Sequence, residues 1–380
     1  MTAIRAVAHP APVDLRALGP DALEALVSGL GERPYRARQI FRWLHRRGAA
    51  SLDEMTDVPG PLREALAARC TLTTLGRERE QRSSDGTVKW TWRTADGKLV
   101  ESVYMPEEDR RTLCLSTQVG CAVGCTFCLT GTMGLARNLA PGEIVDQVHR
   151  ANRRIVDLGL ARGERPLTNL VFMGMGEPLA NYHAVKEALD LLLSPEGPNF
   201  SHRHVTVSTS GLVPAMRRLG EETQVKLAVS LNATTDAVRD AIMPINRRWP
   251  IAEVLRACRE FPTRNGRRIT FEYVLLQGVN DSLEDASRLA ALLRGIPAKV
   301  NLIPYNASPG LGFAAPAAER VVAFQEALAA RNLTVVVRRN RGGDISAACG
   351  QLAAEGGPGD PRRPGSTPGA SSAGARPAGA

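Results

Sequence analysis

Cys121-Ala-Val-Gly-Cys125-Thr-Phe-Cys128 is the stretch on which the reading of this chain turns. Three thiols within eight residues, on a loop straight after the apolar run 113–117, can hold three corners of a cubane iron–sulfur cluster. A cluster held by three cysteines leaves one iron open to bind a substrate or cofactor directly. Structural zinc competes for the same thiols, but such a site closes with four ligands. No second CxxC pair or histidine follows closely, and the nearest further cysteine, Cys114, lies upstream on the apolar run.

Outward from the triplet, strand-like apolar runs alternate with helical stretches. Strands are expected over 113–117, 168–173, 204–209, 225–231, 269–275 and 299–304. Helices are expected near 142–158, 182–193, 212–219, 251–264, 283–294 and 316–331. Six β–α units in a row predict an α/β fold with a parallel sheet and helices outside it, as an open doubly wound sheet or a partial barrel. In either case the site belongs at the carboxyl ends of the strands. A further strand, Thr334-Val-Val-Val-Arg338, leads into a glycine-rich loop that ends in Cys349. Beyond Leu352 the chain is dominated by Gly, Pro, Ser, Arg and Ala, with no aromatic or branched aliphatic residue. Such a tail buries too little surface to offset its ordering entropy and is expected to be disordered.

Upstream, Leu23, Leu26, Val27 and Leu30 share one helical face, and Ile40, Phe41 and Leu44 another, which predicts two or three short helices. The run Tyr35-Arg-Ala-Arg-Gln-Ile-Phe-Arg-Trp-Leu-His-Arg-Arg47 interleaves arginines with aromatics, a mixture that binds phosphates and stacks on bases. A packed amphipathic helix with a solvated basic face explains it equally well. Between Thr71 and Met105 the period becomes two, and Asp85-Gly86 and Asp96-Gly97 read as hairpin turns. The expected division is a small N-terminal α+β accessory domain over 1–105, a catalytic core over 106–352 and the tail over 353–380.

The 380 residues are 43% hydrophobic and 23% charged, which suits a globular chain with a sizeable core. A formal net charge of +9 favours a polyanionic partner. Arginine supplies nearly all of the positive charge, with only five lysines, and a GC-rich genome would raise arginine as readily as nucleic-acid binding would. The first twenty residues hold Arg5 and His9 and no apolar run of signal-peptide length, and no later stretch approaches a membrane span. A cytoplasmic protein without a membrane partner is therefore expected. In a reducing compartment clustered cysteines are metal or redox sites, not a disulfide framework.

The CxxxCxxC spacing at the end of a first β-strand resembles the signature of the radical S-adenosylmethionine (SAM) superfamily, and Phe127 stands where that superfamily favours an aromatic. Met173-Gly-Met-Gly-Glu177-Pro178 resembles its GGEP element, which implies SAM contacts at Gly176 and Glu177. Val207-Ser208-Thr-Ser-Gly211, Ser230-Leu231-Asn232 and Asn306 follow later strands and together outline a nucleoside pocket. The resemblance implies a partial (β/α)6 TIM-like barrel with one [4Fe-4S] cluster on Cys121, Cys125 and Cys128.

Ser116-Thr-Gln-Val-Gly-Cys121, Gly174-Met-Gly-Glu-Pro178, Ser208-Thr-Ser-Gly211 and Gly343-Asp-Ile-Ser-Ala-Ala-Cys-Gly-Gln351 together closely resemble the RlmN/Cfr family of RNA adenine methyltransferases, from about residue 20 to 352. C2 of adenine is an electron-poor carbon that cannot attack the methyl of SAM, so a radical route is needed. The resemblance implies two SAM per turnover. Cys349 is methylated by the first, and its S-methyl group, activated with the second, adds to the base as a covalent protein–RNA adduct. Cys114 then forms a disulfide with Cys349 and releases the product. Alone, Cys114 between two leucines would also fit an ordinary core cysteine. Glu101, on the apolar face of Leu99-Val-Glu-Ser-Val-Tyr-Met105, is costly there unless paired or functional. The resemblance makes it a proton acceptor. Cys70 and Cys258 match no motif and are read as structural.

The implied substrates are an adenosine in the peptidyl-transferase region of 23S rRNA and adenosine 37 of tRNAs, methylated at C2. A flavodoxin or ferredoxin is the implied reductant, and a monomer is expected. Three alternatives stand beside this reading. One is C8 methylation of the same base, as in Cfr proteins. Another is a methylthiotransferase, which ordinarily needs a second cysteine set. The third is a zinc-stabilised RNA-binding protein.

Overall fold

The computed structural model describes residues 12–352 except 264–265, 309 and 339; the tail expected to be disordered, 353–380, lies outside the described residues. The N-terminal part runs β1 (Val13–Asp14), α1 (Pro20–Gly29), α2 (Tyr35–Phe41), α3 (Gly60–Arg69) and β2 (Cys70–Thr71). Pro20 opens α1 with its φ already set, and Gly31 follows the helix at φ 80°, a left-handed stop. A π turn, Arg42–Arg46, continues α2. Three strands follow: β3 (Gly76–Arg82), β4 (Val88–Arg93) and β5 (Leu99–Pro106). They form antiparallel hairpins turned at Gly86 and Gly97, both at positive φ, as the Asp-Gly pairs predict.

The core continues with β6 (Arg111–Cys114), β7 (Gln118–Gly120), α4 (Leu129–Thr132), β8 (Leu135–Asn138), α5 (Pro141–Asp157), β9 (Asn169–Phe172), α6 (Tyr182–Leu193) and β10 (Val205–Thr209). Then come α7 (Val213–Glu222), β11 (Lys226–Ser230), α8 (Asp236–Ile242), α9 (Ile251–Glu260), β12 (Ile269–Leu275), α10 (Leu283–Leu292), β13 (Ala298–Pro304), α11 (Ala318–Ala329) and β14 (Thr334–Val337). All six expected β–α units are present. Helix α9 stops at Glu260 instead of reaching 264, because Pro262 cannot continue it. The seven-residue α8, capped by the Thr235 side chain, was not expected.

One sheet orders its strands β14-β13-β12-β11-β10-β9-β6-β5-β4-β3. From β6 to β14 every pairing is parallel and spatial order follows chain order. A doubly wound sheet needs a reversal of strand order, and there is none, so the sheet is a partial barrel. The hairpins join the same sheet because β5 pairs antiparallel with β6, and the sheet therefore crosses the division expected at 105/106.

Arg16 ties the N-terminal helices to the barrel. Its buried guanidinium donates to the carbonyls of Leu44 (2.7 Å) and Ala49 (2.6 Å) and lies 3.4 Å from Asp146 on α5. At the other end of the chain, the loop after β14 reaches back to the opposite sheet edge. Gly342 N–H donates to Asp85 (3.1 Å), Ser83 donates to Asp344 (2.6 Å), and Lys89 Nζ donates to the Ser346 carbonyl (3.1 Å). This crossing carries Cys349 over the carboxyl ends of the strands. Among the described residues no helix is long and apolar enough to cross a membrane.

Candidate active site

The cysteine loop leaves the barrel through β7, where Gly120 takes φ 78° and its amide neighbour Cys121 donates to the Gly134 carbonyl at 2.8 Å. A side chain at Gly120 would overlap that carbonyl, so only glycine lets the loop turn here. Phe127 is buried against Ala233, Ile242, Met243, Leu276 and Tyr305, which anchors the loop between its last two cysteines. Cys121, Cys125 and Cys128 then face one cavity of about 1000 Å³, part of it open to solvent.

Burial pushes the Cys121 thiol up to about 12, and Cys125 and Cys128 upward as well. The neighbouring thiols add to the shift at Cys121 and Cys125. Such a set resists ionising alone and gains from a metal centre that takes the protons' place. Among the described residues no three His, Cys, Asp or Glu converge as the ligands of one ion do.

The rim opposite is built from strand ends. At the end of β9, Gly174 N–H donates to the Leu115 carbonyl and Met175 N–H to Ser116 Oγ, both at 2.9 Å. Gly176 takes φ 99°, and a Cβ there would strike Gln118. Glu177 lines the cavity, but its carboxylate is already engaged, accepting Leu179 N–H (3.0 Å) and Ser210 N–H (2.7 Å). Burial raises its pKa and those two amides oppose the rise. Ser208, Ser230, Asn232 and Asn306 also line the cavity. Asn232 takes φ 57° and accepts Val274 N–H at 2.8 Å, which stitches β11 to β12. Leu231 does not line it: its side chain is fully buried in the core, its amide donates to the Glu272 carbonyl and its carbonyl accepts Arg239 Nε.

Cys349 lines this cavity and also a smaller adjoining one, which Cys114, Val103 and Met105 line as well. Asn306 and Arg338 stand at the junction of the two. Burial, and then the nearby Cys349, pushes the Cys114 thiol up to about 12.

Glu101 lies apart from both cavities. It is 1% exposed on β5, and its carboxylate meets Lys89 Nζ of β4 at 3.3 Å, with both side chains buried. Its backbone carbonyl accepts Ser116 Oγ at 2.6 Å. Lys89 and Glu272 escaped the reading of the sequence, and Ser210 and Arg338 stood there only within longer segments. Glu272 was findable as a charge inside the apolar run Ile269–Leu275, ahead of a strand's carboxyl end.

A dual-specificity RNA methyltransferase RlmN of Anaeromyxobacter sp. (strain Fw109-5) is 79% identical over 360 residues, 95% of each chain. This chain belongs to the RlmN family. A dual-specificity RNA methyltransferase RlmN from Anaeromyxobacter dehalogenans (strain 2CP-C) is 77% identical over 94% of this chain and 96% of the other. Two family models match this chain: the radical SAM superfamily over 115–290 and the ribosomal RNA large subunit methyltransferase N-terminal domain over 13–72. A radical SAM methyltransferase from Sphaerobacter thermophilus superposes with a TM-score of 0.86 at 51% identity, covering 90% of this chain and all of that one. A radical SAM protein uses a [4Fe-4S] cluster and SAM. The donor set fits that demand, with three partly buried thiols and small polar strand-end groups lining one cavity.

Proposed function

We propose that the protein methylates C2 of an adenosine in the peptidyl-transferase region of 23S rRNA and of adenosine 37 in tRNAs. The observation that carries the reading is the shared wall: Cys349 lines both the cavity of the cysteine triplet and the pocket of Cys114. One sulfur so placed can take up a methyl group on one side and meet a second sulfur on the other. The relatives' name, dual-specificity RNA methyltransferase, supports two RNA substrates.

In this reading Cys121, Cys125 and Cys128 hold the cluster, which supplies the electron for reductive cleavage of SAM when bound. The backbone around Gly176 and the groups of Ser208, Ser230, Asn232 and Asn306 seat SAM. Glu177 acts by fixing the ends of β9 and β10 through its two amide contacts. Leu231 contributes only through the backbone that sets its neighbours. Cys349 carries the methyl group to the base and is joined to it, and Cys114 resolves that link as a disulfide. Glu101 is buried in an ion pair with Lys89 that braces β4 against β5, and the geometry favours this bracing role over that of proton acceptor.

Residues 1–105 serve as the RNA-binding accessory region. The basic run 35–47 supports this, with Arg36 over the Tyr35 ring at 4.8 Å and Arg47 over the Trp43 ring at 4.0 Å. The protein acts as a cytoplasmic monomer reduced by a flavodoxin or ferredoxin. Nucleoside mass spectrometry of 23S rRNA and tRNA treated with the reconstituted enzyme, SAM and a reductant tests the assignment. The expected product is 2-methyladenosine in both RNAs; 8-methyladenosine in its place would overturn the choice of C2.

A further inference from the structure

Near the junction of the two cavities, side chains from three neighbouring strands form a relay that ends on one sulfur. Asn301 of β13 donates through Nδ2 to Glu272 Oε1 of β12 at 2.9 Å. The other carboxylate oxygen of Glu272 lies 3.7 Å from Arg338 Nη1, just past β14. The same Nη1 donates to Cys349 Sγ at 3.7 Å. The base of Arg338 is fixed too, since its amide donates to the Leu302 carbonyl at 2.8 Å. Cys349, then Glu272 and Cys114, hold the guanidinium firmly protonated against its burial. Burial raises the Glu272 carboxyl, and Arg338 is the first group to oppose that rise.

A carboxylate that deep is costly without a role, and this one has few partners. Its arrangement has a chemical consequence. Transfer of a methyl group from SAM needs the sulfur of Cys349 as a thiolate, since the thiolate is the nucleophile. The sulfur's electron pair forms the new S–CH3 bond, the bond from that carbon to the sulfonium breaks, and its pair stays on the departing thioether. The thiol proton goes to solvent. A fixed cation beside the sulfur compensates the charge before attack and aims the sulfur at the larger cavity.

We propose that Arg338, held in place by Glu272, is a positioning residue that orients the sulfur of Cys349 for its own methylation. The proposal rests on the reading of Cys349 as the methyl carrier. Glu272 acts through Arg338 and Asn301 acts through Glu272, so the effect of substitution declines along the chain.

The test follows the methyl on the protein and needs no RNA. Protein purified without its cluster is reconstituted with iron and sulfide and mixed with methyl-deuterated SAM, and label on the Cys349 peptide is timed by mass spectrometry. Iron per chain reports folding and cluster assembly separately. Arg338→Gln is expected to label roughly ten- to a hundredfold more slowly than wild type, the worth of a charged hydrogen bond. Arg338→Lys restores part of the rate because a cation remains, and Glu272→Gln falls between. Equal labelling of wild type and Arg338→Gln, each with full iron, would overturn the proposal. No label on wild-type Cys349 would overturn it together with the methyl-carrier reading, so the two failures are told apart.

Discussion

The amide of Leu129, one residue past the last cysteine of the triplet, donates to the carbonyl of Gly350, one residue past Cys349, across 2.8 Å. Thr130 Oγ1 reinforces the join by donating to the Leu352 carbonyl. Two segments more than two hundred residues apart in sequence are thereby stitched side by side, and whatever orders the cysteine loop also orders the loop that carries Cys349.

Removing the metal centre should therefore loosen a segment that supplies none of its ligands. Hydrogen exchange of the amides over 343–352 is expected to quicken when the reconstituted protein is stripped by a chelator, while exchange in β12 and β13 stays unchanged. Unaltered exchange over 343–352 would mean that the two loops are ordered independently.

Lys89 and Glu101 form an ion pair in which both side chains are 2% exposed. Removing one partner of such a pair leaves an uncompensated buried charge and costs about 3–5 kcal/mol. Lys89→Met and Glu101→Gln should each lower the thermal midpoint markedly, and the double substitution should recover much of the loss. A Glu101→Gln protein that keeps its midpoint but loses methylation would make Glu101 a catalytic proton acceptor instead.

His45 and His149 meet where the accessory helices rest on α5, with ring centroids 5.9 Å apart. Burial, then Arg16, lowers His45 from 6.5 to about 3. Burial, Arg16, His45, Arg150 and Arg153 lower His149 well below its ordinary value. Both imidazoles are neutral in the folded chain and protonate on unfolding, so the unfolded state binds the extra protons. Their contribution is fully present above pH 6.5 and is lost as pH falls below it, for His45 toward about 3, at up to about 1.4 kcal/mol per pH unit for each. Urea midpoints should fall between pH 7 and 5, and His149→Leu should flatten that slope. Identical slopes for wild type and variant would contradict the account.

Much of the barrel was legible because parallel strands covered on both faces appear as unbroken apolar runs such as Leu227-Ala-Val229. The triplet and the glycine turn before Glu177 were legible because their geometry is local. Leu231 shows the opposite case. Ser230 and Asn232 line the cavity while Leu231 between them turns into the core, because β11 ends at Ser230 and the chain swings through a left-handed residue at Asn232, which a motif read as three adjacent residues conceals. The pairing of Glu272 with Arg338 was illegible for a topological reason: they stand two strands apart, and nothing before the order β12-β13-β14 is known brings them together. Lys89 likewise becomes the partner of Glu101 only through the register of β4 on β5.

The central claim is that Cys349 carries the methyl group to the base and that Cys114, across a shared wall, releases the product by forming a disulfide with Cys349. The most direct test is the mass of Cys114→Ala purified from cells after nuclease treatment. Nucleotides attached at Cys349 are the predicted result, since the link forms and cannot be resolved, while Cys349→Ala carries none. A Cys114→Ala protein free of attached nucleotide would contradict the account.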